Sequence, residues 1–443
     1  MASSSAHAGS PKEENIMTTP HHEIVHDRDL INSARLWTNA NTLATITLPN
    51  VPWTRRAFTP LFSEGRQWLK LKMEQAGLSV ALDAGGNLIG RRAGRRPDLP
   101  PLVIGSHSDT VVGGGRYDGI IGVLAGIEIA FSLQERGIQL EHPLEVIDFL
   151  SEEPSDYGIS CVGSRAFSGS LDSGMLASKN HAGETLAEAM VRVGAKPELL
   201  TAPIRTSGST AAYIELHIEQ GPVLENADLP IGVVTHIVGI RRVRILVHGQ
   251  PDHSGTTPMD VRRDALVGAA QVITLVHQAA SARSGNPHYV VATIGRIAMT
   301  PNAPNAVPGW VELMLEVRSD SQQVLDTFPE DIMQMGESSL ASLGLSATLE
   351  HVSRASPTPC SDIVMQAIAE AAGRLQLAYR HLPSGAGHDA VYVAPTGPVG
   401  MVFIPCLAGR SHCPEESITE QQLANGAAVV AQTLMNLDRR LAG

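Results

Sequence analysis

Apolar positions along the chain follow two different periods. Residues 29–41 and 59–75 carry them at helical spacing. PLVIG (101–105), PLEVIDFL (143–150) and YIELHI (213–218) read as short strands, two of them largely apolar. Residues 122–134 predict a buried helix between two of these strands. Alternating strands and helices predict an α/β sheet covered on both faces. From residue 239 the pattern changes. RVRILV (242–247) alternates polar and apolar, and a helical run (262–282) follows. Strands at 288–297 and 311–318, a helix at 322–343 and a strand at 346–351 complete the order β-α-β-β-α-β, that of a ferredoxin-like plait. Residues 353–443 return to helix, strand and helix. The expected organisation is therefore one α/β domain built from 28–238 and 353–443, with 239–352 inserted as a second domain. Residues 1–27 have no apolar period and read as a tail without the apolar segment of a secretory signal.

Composition narrows the function classes. The 443 residues are 43% hydrophobic and 18% charged, enough apolar material for a sizeable core. The net charge of −12, with no Lys/Arg block, argues against nucleic acid or an anionic membrane as partner. The longest apolar stretch, 120–133, contains Glu128 and is too short to span a bilayer. Cys161, Cys360, Cys406 and Cys413 show no CxxC spacing and read as reduced thiols of a cytoplasmic protein.

The candidate chemistry clusters at predicted strand ends. His107 and Asp109 follow PLVIG; Asp118 lies in GGGRYDG; Glu152 and Glu153 follow the 143–150 strand; His217 closes YIELHI; His412 follows VGMVFIP. In open α/β sheets, ligands bind beyond the carboxyl ends of strands. Two imidazoles and a carboxylate can hold one divalent metal, and a shared carboxylate with a second carboxylate and an imidazole can hold another. Adjacent residues point to opposite sides, so one of Glu152 and Glu153 can ligate while the other takes a proton from a metal-activated water. Asp109 is placed to accept the second ring N–H of His107. The bland alternatives are a solvated Glu–Glu pair and a core histidine at 217. The glycines at 113–115 are not followed by GK[ST] and are not a phosphate loop.

GSHSDTVVGGGRYDGIIGVLAG, ELHIEQGPVLE, DHSGTTPMDVRRDAL, SGAGHDA and SHCPEE together resemble the amidase/carbamoylase branch of the zinc-dependent peptidase family M20, over roughly residues 30 to 440. The resemblance implies a mixed-sheet, metallopeptidase-like α/β catalytic domain with the plait as lid and dimerisation domain. It implies two divalent ions per subunit (Zn²⁺ first, with Mn²⁺, Co²⁺ or Ni²⁺ as alternatives). Asp118 would bridge them, His107 and His217 completing one set and Glu153 and His412 the other. Glu152 would be the general base. His253, from its own or the neighbouring subunit, would polarise the scissile carbonyl. Asn305 and Arg318 would bind the substrate carboxylate, with Gln220 and His388 at further pocket positions. The chain departs from the common family form at Pro154 and the SDYG that follows, at Arg410 and at Cys413, where serine is usual. The leading expectation is a homodimeric amidohydrolase acting on an N-carbamoyl or ureido derivative of a small amino acid. The rivals are an N-acyl amino acid or dipeptide hydrolase with the same site, and an inactive binding protein on the same scaffold.

Overall fold

The computed structural model describes residues 30–285 and 287–443; the tail expected at 1–27 lies outside them. The strands are β1 (Ser79–Leu82), β2 (Leu88–Arg92), β3 (Leu102–His107), β4 (Leu144–Phe149), β5 (Ala212–Ile218), β6 (Ile231–Ile237), β7 (Gly239–His248) and β8 (Asp252–His253). They continue with β9 (Val290–Thr300), β10 (Ala306–Val307), β11 (Trp310–Ser319), β12 (Ser346–Ala355), β13 (Thr358–Pro359), β14 (Tyr379–Ser384) and β15 (Val399–Ile404).

A nine-stranded mixed sheet has the order β1-β2-β4-β3-β5-β15-β6-β13, with β14 beside β6. Its centre, β4-β3-β5-β15, is parallel throughout. Every residue of these four strands is buried, as expected of strands covered on both faces. Side chains alternate between two cores. Leu102, Ile104, Ile214 and Leu216 pack with the helices Ile120–Glu135 and Glu420–Leu441. Val103, Tyr213, Met401 and Phe403 pack with Phe167, Ala390 and Val393 on the other face. β1 and β2 were not foreseen, because β1 is a short, largely exposed edge whose residues lack a buried alternation. The first described helix is Ser33–Ala44, later than the expected 29–41. Its boundary is set by Asn32, whose side chain accepts the Arg35 N–H.

A second sheet, β12-β7-β11-β9, is antiparallel. Val243, Ile245 and Val247 of β7 and Val311, Leu313, Leu315 and Val317 of β11 pack under the helices Ala265–Arg283 and Gln322–Ser342. Ala265–Arg283 is long and apolar enough to cross a membrane by composition, but its Ala269, Val272 and Val276 side is buried in this core. The opposite sheet face carries Arg242, Arg244, Glu312, Glu316 and Arg318; Arg242 and Arg244 pair across to Glu316 and Glu312, and Arg318 pairs with Glu316 along β11. The chain passes from β6 to β7 through Val238 alone, and returns from β12 to β13 through residues 356 and 357. Both connections border the cavity described next.

Candidate metal and catalytic site

Parallel pairing brings the carboxyl ends of β3, β4, β5 and β15 to one edge of the large sheet. His107 is the last residue of β3 and His217 lies near the end of β5. Glu152 and Glu153 follow β4, His412 lies in the loop after β15, and Asp118 just precedes the helix Ile120–Glu135. All border one cavity of about 410 Å³, within the roughly 300–1,000 Å³ usual for small-molecule sites.

Asp118 stands between two histidines. Its Oδ1 is 3.1 Å from His217 Nε2 and its Oδ2 is 2.9 Å from His412 Nε2. His412 Nε2 is also 3.1 Å from Glu153 Oε1. Ligand atoms of His107, Asp118 and His217 cluster closely enough to hold one ion, and those of Asp118, Glu153 and His412 another. These groupings coincide with the two sets that the resemblance implies, with Asp118 common to both; a third grouping among the described residues joins Glu215, His217 and His388. The ring nitrogens are already allotted. His107 Nδ1 faces the Asp109 carbonyl at 3.0 Å and His217 Nδ1 the Ile218 carbonyl at 2.9 Å, which turns Nε2 of each toward the cluster as the atom that could ligate an ion.

Two tests show that this donor set suits divalent cations. Asp109, Asp118, Glu152, Glu153, Glu215 and Asp389 are all buried, and such a density of carboxyls needs compensating positive charge or protons. Burial drives Glu152 and Asp389 well above the usual carboxylate range. It opposes ionisation of Asp118 too, but the His217 and His412 hydrogen bonds prevail and hold that group well below the range. Space is reserved as well. Gly119 has φ +68°, and a Cβ there would lie 2.1 Å from His107 Nε2.

Glu152 faces the same cavity. Its Oε2 is 3.7 Å from His107 Nε2, and its Oε1 accepts the Cys161 thiol at 3.3 Å. The role expected of Asp109 needs correction. Its carboxylate is 3.7 Å from the His107 ring, beyond hydrogen-bond reach, and only its backbone carbonyl meets that ring. The carboxylate instead accepts the backbone N–H groups of Glu152 at 3.2 Å and Glu153 at 3.1 Å. The loop after β4 folds back on β3 and presents amides there, so the carboxylate orients the Glu–Glu pair.

Of the expected substrate residues, Gln220, Arg318 and His388 line the cavity. Gln220 Nε2 donates to Asp118 Oδ1 at 3.0 Å. His388 is buried 4.5 Å from the His217 ring, hydrogen-bonded to the Ser384 hydroxyl at 2.7 Å. Burial pushes its pKa well below the ordinary histidine value. Arg318 Nη1 donates to the Gly385 carbonyl at 2.8 Å. His253 and Asn305 do not join them. Both are exposed, side by side on the β8/β10 ribbon, where Ser254 N–H donates to the Asn305 carbonyl. His253 Nδ1 accepts the Gly255 and Thr256 amides, which leaves Nε2–H as a donor with no acceptor among the described residues, outside the lining of its own chain's cavity.

Sequence reasoning missed Glu416, which receives the backbone N–H groups of Tyr117 and Asp118 and the Ser411 hydroxyl. A carboxylate four residues beyond His412 was the available signal. It also missed Cys161, Arg165 and Tyr392, all of which line the cavity.

A profile of the peptidase family M20/M25/M40 matches residues 103–436. The chain belongs to this family. Within it, the M20 chain is 38% identical to an N-carbamoyl-L-amino acid amidohydrolase of Geobacillus stearothermophilus, over 92% of this chain and 99% of that protein. It is 34% identical to a ureidoglycolate hydrolase of Arabidopsis thaliana, over 88% of this chain and 83% of that one. A solved amidase of the hydantoinase/carbamoylase family from Burkholderia multivorans superposes with a TM-score of 0.84 at 36% identity, covering 92% of this M20 chain and 98% of that structure.

Proposed function

We propose that this M20 chain is a metal-dependent amidohydrolase that cleaves a non-peptide C–N bond in an N-carbamoyl or ureido derivative of a small amino acid. The observation that carries the proposal is Asp118 shared between two ligand sets beside the buried Glu152. The activities named for its amidohydrolase relatives point the same way. His107 and His217 hold one divalent ion with Asp118, and Glu153 and His412 hold the other. Zinc suits the nitrogen and oxygen donors best, with manganese, cobalt and nickel as alternatives. When bound, the ions supply Lewis acidity and lower the pKa of a bound water.

The remaining roles fall to protein groups. Glu152 Oε2 takes the proton from the attacking water and returns it to the leaving nitrogen. Arg318 holds the substrate carboxylate through its planar fork and so fixes which carbonyl meets the metals. Gln220 and His388 shape the pocket around the acyl group. Residues 239–352 act as a ferredoxin-like lid and dimerisation unit inserted in the catalytic domain. The two short connections at 238 and 356–357 serve as its hinges. The exposed His253 and Asn305 complete the cavity of the neighbouring subunit, where His253 Nε2–H meets the oxygen that gains charge. The enzyme works in the cytoplasm on a small carboxylate substrate.

A panel of N-carbamoyl, ureido, N-formyl and N-acyl amino acids, assayed with Zn²⁺, Mn²⁺ or Co²⁺, tests the reading. Ammonia and carbon dioxide from a carbamoyl acid are the expected products. Turnover confined to acyl acids or dipeptides, with a carboxylic acid or amino acid released, would move the chain to the rival hydrolase class.

A further inference from the structure

The arginines around the cavity are not equivalent. Arg242 Nε lies 2.6 Å from Glu316 Oε2, and Arg318 Nε lies 2.8 Å from Glu316 Oε1. One carboxylate thus serves two guanidinium groups and leaves a single net positive charge on that wall. Arg354 is paired with Asp326 at 3.1 Å. Arg165 differs from all three. It forms no ion pair among the described residues, although the cavity is crowded with carboxylates. Its Nε–H donates to the Ser160 carbonyl at 2.9 Å, and its guanidinium stacks 4.3 Å from the centre of the Tyr392 ring. Among the described residues the two terminal nitrogens have no protein acceptor. Ser160, Arg165 and Tyr392 all line the cavity, and the arginine sits on the helix Val162–Ser168, which begins directly after Cys161.

A half-buried cation fixed by a carbonyl and an aromatic face, with its fork free, is prepared to bind an anion. Its entropy cost has already been met by the fold. The lid wall, with net charge for one carboxylate, is claimed by the α-carboxylate under the function proposed above.

We infer that Arg165 recognises a second anionic group, so that the preferred substrates are N-carbamoyl or ureido derivatives of acidic amino acids. This inference rests on the proposed amidohydrolase reading for the reacting bond, but not for the charge preference. An alternative role for Arg165, balancing the buried acids of the site, would make it equally important for neutral and acidic substrates.

The test is a ratio. kcat/KM is measured for N-carbamoyl-L-aspartate against N-carbamoyl-L-asparagine, and for the glutamate and glutamine pair, with the metal-loaded wild type, Arg165→Met and Arg165→Lys. The wild type should prefer the acid over its amide isostere by at least about tenfold, as expected for one charged hydrogen-bonded contact. Arg165→Met should cut that ratio by about tenfold or more, mainly through KM, and Arg165→Lys should retain part of it. A wild-type ratio at or below one, or an equal loss for both members of a pair in Arg165→Met, would overturn the inference. If only N-acetylated acids are turned over, the carbamoyl reading fails, and the N-acetylaspartate and N-acetylasparagine pair decides the charge preference instead. Calorimetric binding of the same pairs to the holoenzyme gives the ratio should none be turned over.

Discussion

The thiol of Cys161 donates to Glu152 Oε1 at 3.3 Å, so the Glu152 oxygen that faces His107, and with it the candidate ligand cluster, is Oε2. Glu152 is thereby held by its side chain, and by its backbone N–H on Asp109, without being needed as a ligand. Glu152→Gln preserves shape and hydrogen bonding but cannot accept the proton. The variant should keep its metal content, measured by elemental analysis, while kcat falls by roughly 10²–10⁴-fold. Full activity with metal retained would remove Glu152 from the chemistry.

Asp109 provides a sharper test of positioning. Its two carboxylate oxygens each take one amide, from Glu152 and from Glu153. Asp109→Asn keeps one acceptor and turns the other into a donor aimed at an N–H. One amide of the pair loses its partner inside the protein, at a cost of about 1–3 kcal/mol. A lower melting temperature and weaker metal retention are expected together, since Glu153 is a proposed ligand. Unchanged metal affinity would show that the loop holds its shape without this carboxylate.

Metal removal should destabilise the fold measurably. Asp118, Glu152 and Glu153 are buried together, and divalent ions that bind only the folded chain add stability by mass action. At an ion concentration a hundredfold above Kd the gain is about 2.7 kcal/mol per site. Differential scanning calorimetry before and after chelation reads it. Asp118→Ala should remove at least one ion and show a smaller metal-dependent shift than wild type. Two ions bound at full affinity in that variant would refute the bridging role.

His253 gives a prediction about assembly. Its exposed position outside its own chain's cavity suits donation to a neighbour. His253→Ala alone should lower kcat by about 10²-fold, as for a lost oxyanion donor. Mixed with Glu152→Gln subunits, it should regain activity, because one site of each heterodimer then has both groups intact. Heterodimers seen by mass spectrometry without recovered activity would count against exchange between subunits.

The residues of the two candidate ligand sets were legible as strand-end positions for a specific reason, while their division into sets came from the family resemblance. His107, Glu153 and His217 sit on or just past strands that are apolar enough to be recognised, and parallel strands align their ends. What the sequence hid was direction. Nothing in HSD says that Asp109 turns its carboxylate from the ring toward amides contributed by another strand's loop. Arg165 was hidden for a similar reason, since an arginine in SCVGSRAF reads as an ordinary helix surface until the Tyr392 ring is placed over it. The positions of His253 and Asn305 relative to the ligands depend on how the two sheets are set against each other, and local pattern carries no information about that. The β1–β2 edge was missed because exposed short strands leave no periodic trace.

The hydrogen bond from Arg318 to the Gly385 carbonyl joins the two sheets across the cleft, while Val238 and residues 356–357 are the covalent links between them. Under the proposed lid reading, a swing that widens the entrance pivots at those links and breaks this contact. With the carboxylate-binding role proposed for Arg318, substrate competes for the same guanidinium, and loading and unlatching draw on one group. In that cycle product departure would return Arg318 to Gly385, and the strength of that return contact, about 1.5–3 kcal/mol for a charged donor, would be a handle on turnover that lies outside the bond-breaking step.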